Sequence, residues 1–214
     1  MANENPNIYS EILWTDEATF TRNGGVNLHN MHYWSETNPH WIQQVQRQGR
    51  WSVNVWCGVL GGKIIGPFIF QRVNGAVYLN FLSNELPPPL EEVPLAIRRD
   101  RFYQHDGCPS HFARDVRQFL DLTYPARWIG RGSVFPWPPR SPDLTVLDFY
   151  LWGRIKHLVF ATRPTTSENM VERIREAIES ISVADIETAV LLTRQRLLDC
   201  IQNDGQHFEH LGRH

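Results

Sequence analysis

Three aspartates hold the chemistry this sequence can be read for. Asp16 closes the apolar run Ile12-Leu13-Trp14-Thr15, Asp106 closes Phe102-Tyr103-Gln104-His105, and Asp148 follows the proline-rich stretch 136–143. Two carboxylates at strand ends and a third in the first turn of a helix can converge on one edge of a sheet. A hard divalent cation needs such a set. Mg²⁺ takes oxygen ligands at ~2.0–2.1 Å in octahedral geometry, keeps several waters, and leaves positions for phosphate oxygens. Two such ions ~3.5–4 Å apart activate a nucleophile and stabilise the leaving oxygen of an in-line phosphoryl displacement. The short side chain of Asp demands a backbone held close to the metal, which stiff strand ends provide. Strand-end and helix-start aspartates are also common as purely structural residues, so on the residue pattern alone both readings stand.

The elements that must position these acids follow from periodicity. Residues 11–18 form an apolar run ending in acids, with Asn23-Gly24-Gly25 beyond it, and read as a strand. Residues 25–50 are polar, aromatic and aperiodic, a long connection of the kind used as a binding loop. Residues 51–60 and 63–70 read as a hairpin turned by Gly61-Gly62, with Pro67 marking an edge or a bulge. Val77, Phe81 and Leu82 recur at helical spacing over 74–86, and Pro87-Pro88-Pro89 is expected to stop that helix. A short strand over 101–106 precedes a helix to about 122, with Ser110 as its cap and Phe112, Val116, Phe119 and Leu120 on one face. Residues 127–129 form a further short strand, and 136–143 is too proline-rich for anything but a rigid loop. Helices follow over 147–160, 167–181 and 184–202. This order predicts an α/β domain with a mixed five-stranded sheet flanked by helices.

Composition narrows the function classes. The 214 residues are 42% hydrophobic with 8 Trp, enough for a buried core and too much for a disordered chain. No window approaches the ~18 consecutive apolar residues of a membrane span. The first residues lack the pattern of a secretory signal. Cys57, Cys108 and Cys200 are odd in number and far apart, so a reducing compartment without a disulfide framework is expected. Net charge is −2, but residues 98–163 hold 11 basic and 6 acidic side chains, all six acids being Asp. A basic middle third with a few short carboxylates fits a site that attracts a polyanion and holds a cation, though a solvated face with ordinary ion pairs has the same composition. Arg114, Arg117, Arg131, Arg140, Arg154 and Lys156 are the candidates for phosphate contacts.

Three blocks, in order, change the weight of these readings. Trp14-Thr15-Asp16-Glu17-Ala18-Thr19-Phe20, Gln104-His105-Asp106-Gly107-Cys108-Pro109-Ser110-His111, and Trp137-Pro138-Pro139-Arg140-Ser141-Pro142-Asp143-Leu144 with Leu147-Asp148-Phe149-Tyr150 together resemble the catalytic domain of mariner-type transposases. The resemblance covers about 9–160. It implies an RNase H-like fold over 1–163 with a C-terminal helical extension over 164–214 packed on the same domain. Residue by residue it implies Asp16, Asp106 and Asp148 as the catalytic, metal-holding triad, with Mg²⁺ or Mn²⁺, two ions, and no small-molecule cofactor. It further implies cleavage and strand transfer of double-stranded DNA, at transposon ends and at a target, hence a nuclear location. The 25–50 stretch lies where these transposases carry a loop that reaches toward a partner subunit, so a homodimer through it is expected. Two departures stand out. The 41 residues between Asp106 and Asp148 exceed the family's commonest spacing, the extra length falling around 122–135. The chain also begins fifteen residues before Asp16, so the family's N-terminal helix-turn-helix domains are expected to be missing. A different reading is therefore a catalytically silent, transposon-derived remnant that serves as a nucleic-acid- or protein-binding module.

Other residues have competing roles. Asp143 competes with Asp148 for the third position but suits a turn or cap. Glu17 points to the face of its strand opposite Asp16 and is expected to pair elsewhere. His105 and His111 flank Asp106 near the site; either can touch a metal-bound water or a phosphate, or be satisfied by neighbouring backbone. The pairs His29/His32 and His207/His210 resemble zinc half-sites but lack Cys or Glu partners. Trp34, Trp41 and Trp51 can stack on bases or pack the long loop down, whereas Trp128, Trp137 and Trp152 are expected in the core. Cys108 reads as a small semi-buried residue and not a nucleophile. On the last two helices, Val171, Ile174, Ile178 and Ile181, then Ile186, Val190, Leu197 and Ile201, form inward faces, with acids outside.

Overall fold

The computed structural model describes residues 8–22, 51–139 and 141–205. The expected 25–50 loop with His29, His32, Trp34 and Trp41, and also Arg140, His207 and His210, lies outside the described residues. A helical turn, α1 (Ile8–Glu11), leads into β1 (Ile12–Thr21), followed by the hairpin β2 (Ser52–Leu60) and β3 (Lys63–Phe70). Then come α2 (Gly75–Asn80), α3 (Pro87–Glu91), α4 (Leu95–Arg98), β4 (Phe102–Gln104), α5 (Arg114–Thr123) and β5 (Trp128–Ile129). The chain closes with α6 (Trp152–Val159), α7 (Ser167–Glu179) and α8 (Val183–Gln202). The five strands form one mixed sheet in the order β3-β2-β1-β4-β5, antiparallel across β3-β2-β1 and parallel across β1-β4-β5. Pro67 sits on the edge strand β3, beside a register shift between Trp56 and Gly58, where a missing N–H disrupts no interior ladder.

Strand alternation divides the interior into two cores. Ile12, Trp14 and Phe20 of β1, with Val53, Val55, Cys57 and Val59 of β2, face one side, where Ile155, Ile174 and Val190 of the last three helices cover them. Leu13, Trp56 and Leu60 face the other, against Phe81, Leu86, Val116 and Leu120. The period of two assigns each residue to its face, so Asp16 shares the side of Trp14 and Phe20 while Glu17 shares the side of Leu13. Trp128 and Trp152 are core residues, and Trp51 and Trp137 pack partly buried against the first cluster.

The helical run from Gly75 to Glu85 ends before Pro87, as expected, and the prolines then begin α3, because the fixed φ of Pro and its missing N–H suit the first turn of a helix. Two local expectations are corrected. Ser110 does not cap α5. That helix starts at Arg114 behind Ala113, which gives no side-chain cap, and Phe112 lies before it. Residues 106–112 form a turn because the Asp106 carboxylate accepts the Cys108 N–H (2.9 Å) and the Cys108 carbonyl accepts the N–H groups of His111 and Phe112 (both 3.0 Å); such side-chain hydrogen bonds compete with helix formation. Ile201 is 71% exposed, and beyond Thr193 no residue of α8 is buried, so the inward face ends about two turns early. The cores of α7 and α8 nonetheless join the sheet through Met170, Ile174, Ile186 and Val190. Among the described residues no helix is long and apolar enough to cross a membrane.

Candidate active site

Sheet register brings the first two acids to the same region of the sheet. Trp14 on β1 pairs with Gln104 on the parallel β4. Asp16 lies two residues further along β1, and Asp106 two residues past Gln104, just beyond the ladder on the turn that follows β4. Thr15 locks the two strands beyond the ladder, its Oγ1 donating to the Gln104 carbonyl (2.6 Å) and its N–H to Gln104 Oε1 (3.2 Å). Asp148 arrives from the far side on a wide helical turn, Leu147–Leu151, that runs into α6. Such π-type turns recur at functional sites because the extra residue re-aims side chains. Thr145 Oγ1 donates to Asp148 Oδ2 (2.6 Å), and Trp152 Nε1 donates to Asp16 Oδ2 (2.7 Å). Asp143 sits in the turn Pro142–Leu144, where its carbonyl accepts from Arg196 Nε, and its charge bears on Asp148.

Electrostatics ties the three acids together. Burial raises the Asp16 carboxyl well above the ordinary range, the Asp148 charge and then Glu17 raise it further, and the Trp152 N–H opposes them. Asp148 is raised first by burial and also by Asp106 and Asp143, against the Thr145 hydrogen bond and the Lys156 charge. Asp148 thus feels Asp106, and Asp16 feels Asp148. A cluster of like charges in a partly buried place is costly unless a cation compensates it, so these residues fit an oxygen-ligated divalent metal.

A second device lies on the opposite face of β1. His111 is 2% exposed and bridges two carboxylates, Nδ1–H donating to Asp106 Oδ1 (2.7 Å) and Nε2–H to Glu17 Oε1 (3.1 Å). A ring that faces a carboxylate at each nitrogen must be doubly protonated to satisfy both. Burial disfavours that charge, but Glu17 and Asp106 outweigh it and push His111 up to about 10. Burial alone would raise Asp106; the His111 hydrogen bond and charge, with the Cys108 N–H, hold it below its ordinary value instead. His105 stacks on His111 (centroids 4.9 Å, 8° between planes) and is driven well down by burial and then by the His111 charge, so it is neutral. The Tyr78 ring lies against His111 at 4.2 Å. His111 is therefore satisfied by side chains and not by backbone, and Glu17 pairs with the histidine that holds Asp106. The strand period of two puts Glu17 on this face, but nothing in local spacing shows a contact between residues 94 positions apart.

His105 leans on Gly130. A Cβ there would stand 2.4 Å from His105 Cδ2 and 3.1 Å from Trp128 Cζ3. Because both rings are buried, Gly130→Ala is expected to cost about 1–3 kcal/mol through overpacking, read as a lower urea midpoint with an unchanged slope. An unchanged midpoint would show that the rings yield freely.

Of the basic candidates, the structure gathers some and not others. The guanidinium groups of Arg117 and Arg131 both lie over the Phe112 ring, at 4.4 and 4.2 Å from its centroid. Arg131 also borders Gly107, whose Cβ would meet its Cδ at 3.6 Å, so this pair flanks the Asp106 turn. Arg114 is exposed at the start of α5. Lys156 is half-buried, its charge reaching Asp148 and its Nζ lying 5.9 Å from the Phe20 ring. Arg154 is exposed on the other side of α6, where its charge bears on Tyr150.

A mixed sheet in the order β3-β2-β1-β4-β5, with acids on β1, just past β4 and on the helix after β5, defines the RNase H-like class of fold. Within that class the chain has the fold of the mariner transposase catalytic domain. It superposes on the catalytic domain of Mos1 transposase solved with Raltegravir and Mg at a TM-score of 0.72, with 18% identity, covering 97% of this chain and 90% of that one. A pre-cleavage Mos1 transpososome (TM-score 0.74, 22% identity) and a Mos1 strand transfer complex (0.73, 21%) are matched over 97% of this chain and 59% and 58% of theirs. Among curated proteins, human histone-lysine N-methyltransferase SETMAR is 21% identical over 180 residues, 81% of this chain; the chain spans about a quarter of its length. No protein-family model matches the chain.

Proposed function

We propose that this chain is a transposase-type catalytic domain that cleaves DNA and transfers strands by metal-dependent phosphoryl transfer. The observation that supports this most is the charge coupling of Asp16 with Asp148 and of Asp148 with Asp106, on the fold shared with Mos1 transposase. Mos1 structures carry Mg or Mn, and others are paired-end and strand transfer complexes, which favours the same ions and a DNA substrate here. Asp16, Asp106 and Asp148 would hold Mg²⁺ or Mn²⁺, two ions, and the bound metal supplies an activated water or 3′-hydroxyl and stabilises the leaving oxygen.

The protein's own groups do the positioning. Trp152 and Thr145 each fix one carboxylate oxygen, of Asp16 and Asp148 respectively. The His111 imidazolium fixes Asp106 as a carboxylate. Arg117, Arg131 and Lys156 supply positive charge beside the acids for the DNA backbone, with Arg114 further out, and work on DNA belongs in the nucleus. The silent-remnant reading is not favoured, because all three acids are present on the fold shared with Mos1 transposase. The test is nicking of supercoiled plasmid by the purified protein with Mn²⁺: open circles that vanish with chelator are expected. Intact plasmid at every metal concentration would overturn the reading.

A further inference from the structure

We propose a second, thiophilic metal site built on the turn after β4, in which Asp106, Cys108 and His111 bind Zn²⁺ or Cd²⁺. One ligand atom from each of these three residues lies within 4.8 Å of the other two. All three come from a single six-residue turn, Asp106-Gly107-Cys108-Pro109-Ser110-His111, closed by the hydrogen bonds of His111 and Phe112 to the Cys108 carbonyl. The set is therefore assembled before any ion arrives. Three protein ligands leave a fourth tetrahedral position for water or an incoming group, as in open zinc sites.

Two further features fit the ligand. His111 offers Nδ1 on the Asp106 side while Nε2 donates to Glu17. A carboxylate on the far nitrogen of a metal-binding imidazole fixes its tautomer and orientation, and Glu17 stands in that outer position. The site is also reachable, with the Asp106 side chain 51% exposed and Cys108 only half-buried. Thiolate and imidazole select Zn²⁺ and Cd²⁺, whereas Mg²⁺ prefers the all-carboxylate side. Binding displaces two protons, one from the Cys108 thiol and one from His111. A bound thiophilic ion draws Asp106 toward Cys108, away from Asp16 and Asp148, so it acts as an inhibitor of the chemistry on the other side of that carboxylate.

The experiment titrates the reduced, DNA-free protein with Cd²⁺ and follows the ultraviolet absorbance of the cadmium–thiolate bond. Absorbance that saturates at one equivalent is expected, lost in Cys108→Ser and kept in Cys57→Ser and Cys200→Ser. Glu17→Gln is expected to weaken binding by about 10–100-fold, the usual effect of removing an outer-sphere partner. Absorbance that survives in Cys108→Ser, or affinity unmoved by both Glu17→Gln and His111→Gln, overturns the site, the latter leaving a simple thiol adduct. Matched melting curves for the metal-free variants separate lost ligation from lost folding. A second arm rests on the nuclease reading: Zn²⁺ should inhibit Mn²⁺-supported nicking, about tenfold less potently in Cys108→Ser. Equal potency in both proteins overturns the inhibitory role. If no nicking is seen at all, the nuclease reading fails while the cadmium result still decides the site.

Discussion

Replacing Asp148 with Asn is expected to abolish metal-dependent nicking while raising the melting temperature of the metal-free protein. The two effects have one cause. Burial and the nearby charges of Asp106 and Asp143 raise Asp148 above its ordinary 3.8, against a helping bond from Thr145 and the Lys156 charge. A group whose folded value is raised contributes stability that is present below its unfolded value and is lost as pH rises through the folded one. At neutral pH the ionised Asp148 therefore works against the metal-free fold. Asn keeps an oxygen for the Thr145 hydroxyl and removes the charge. A gain of about 1 kcal/mol corresponds to about 2–4 °C for a chain of this size. The same substitution removes an anionic ligand where phosphoryl charge must be managed, for which a loss of about 10²–10³-fold or more is expected. Wild-type protein should melt higher in Mn²⁺, and the variant should respond much less. Undiminished nicking would show that 148 is not the third ligand, and a lower melting temperature would show that its charge is already compensated.

The second large effect concerns His111. His111→Ala leaves Glu17 and Asp106 facing each other across a cavity without the imidazolium between them. Breaking a buried charge pair costs ~3–5 kcal/mol. The Asp106 side chain is 51% exposed and solvent screens part of the loss, so about 2–3 kcal/mol, or about 5–10 °C, is the expected drop. The pH dependence identifies the cause. His111 is raised from 6.5 to about 10, so its contribution is complete below about 6.5 and drains away as pH climbs toward 10. Asp106 is lowered, so its own contribution holds above 3.8 and is lost on acidification. Urea denaturation of the wild type should show stability falling across the alkaline range, and in His111→Ala that slope should flatten. Parallel slopes in the two proteins would mean that the ring is neutral and merely fills space.

Both experiments turn on contacts that the sequence only half discloses. The alternation of Leu13, Thr15 and Glu17 against Trp14, Asp16 and Phe20 assigns each residue of β1 to a face, because a strand has a period of two. The hairpin and the amphipathic helices are equally legible, since each is written in residues close together along the chain. The helix start expected at Ser110 falls instead within the 106–112 turn, and the helix begins at Arg114. Ser110 has the chemistry of a cap, but the competing hydrogen bonds to Asp106 and Cys108 depend on a loop geometry that spacing does not specify.

What the chain determines by itself is a set of acids and most of the secondary structure that presents them, because propensity and periodicity are local properties; the strand-end position expected for Asp16 is corrected, since β1 runs on to Thr21 and places it in mid-strand. What the tertiary structure decides is who stands beside each acid. Trp152 reaches Asp16 across 136 positions, and His111 reaches Glu17 across 94. Those meetings are set by strand order, by the parallel register of Trp14 with Gln104, and by how α6 lies on the sheet. The physical reason is that burial and neighbouring charge, which tune a carboxylate, are properties of the three-dimensional surroundings and leave no trace in the residues to either side.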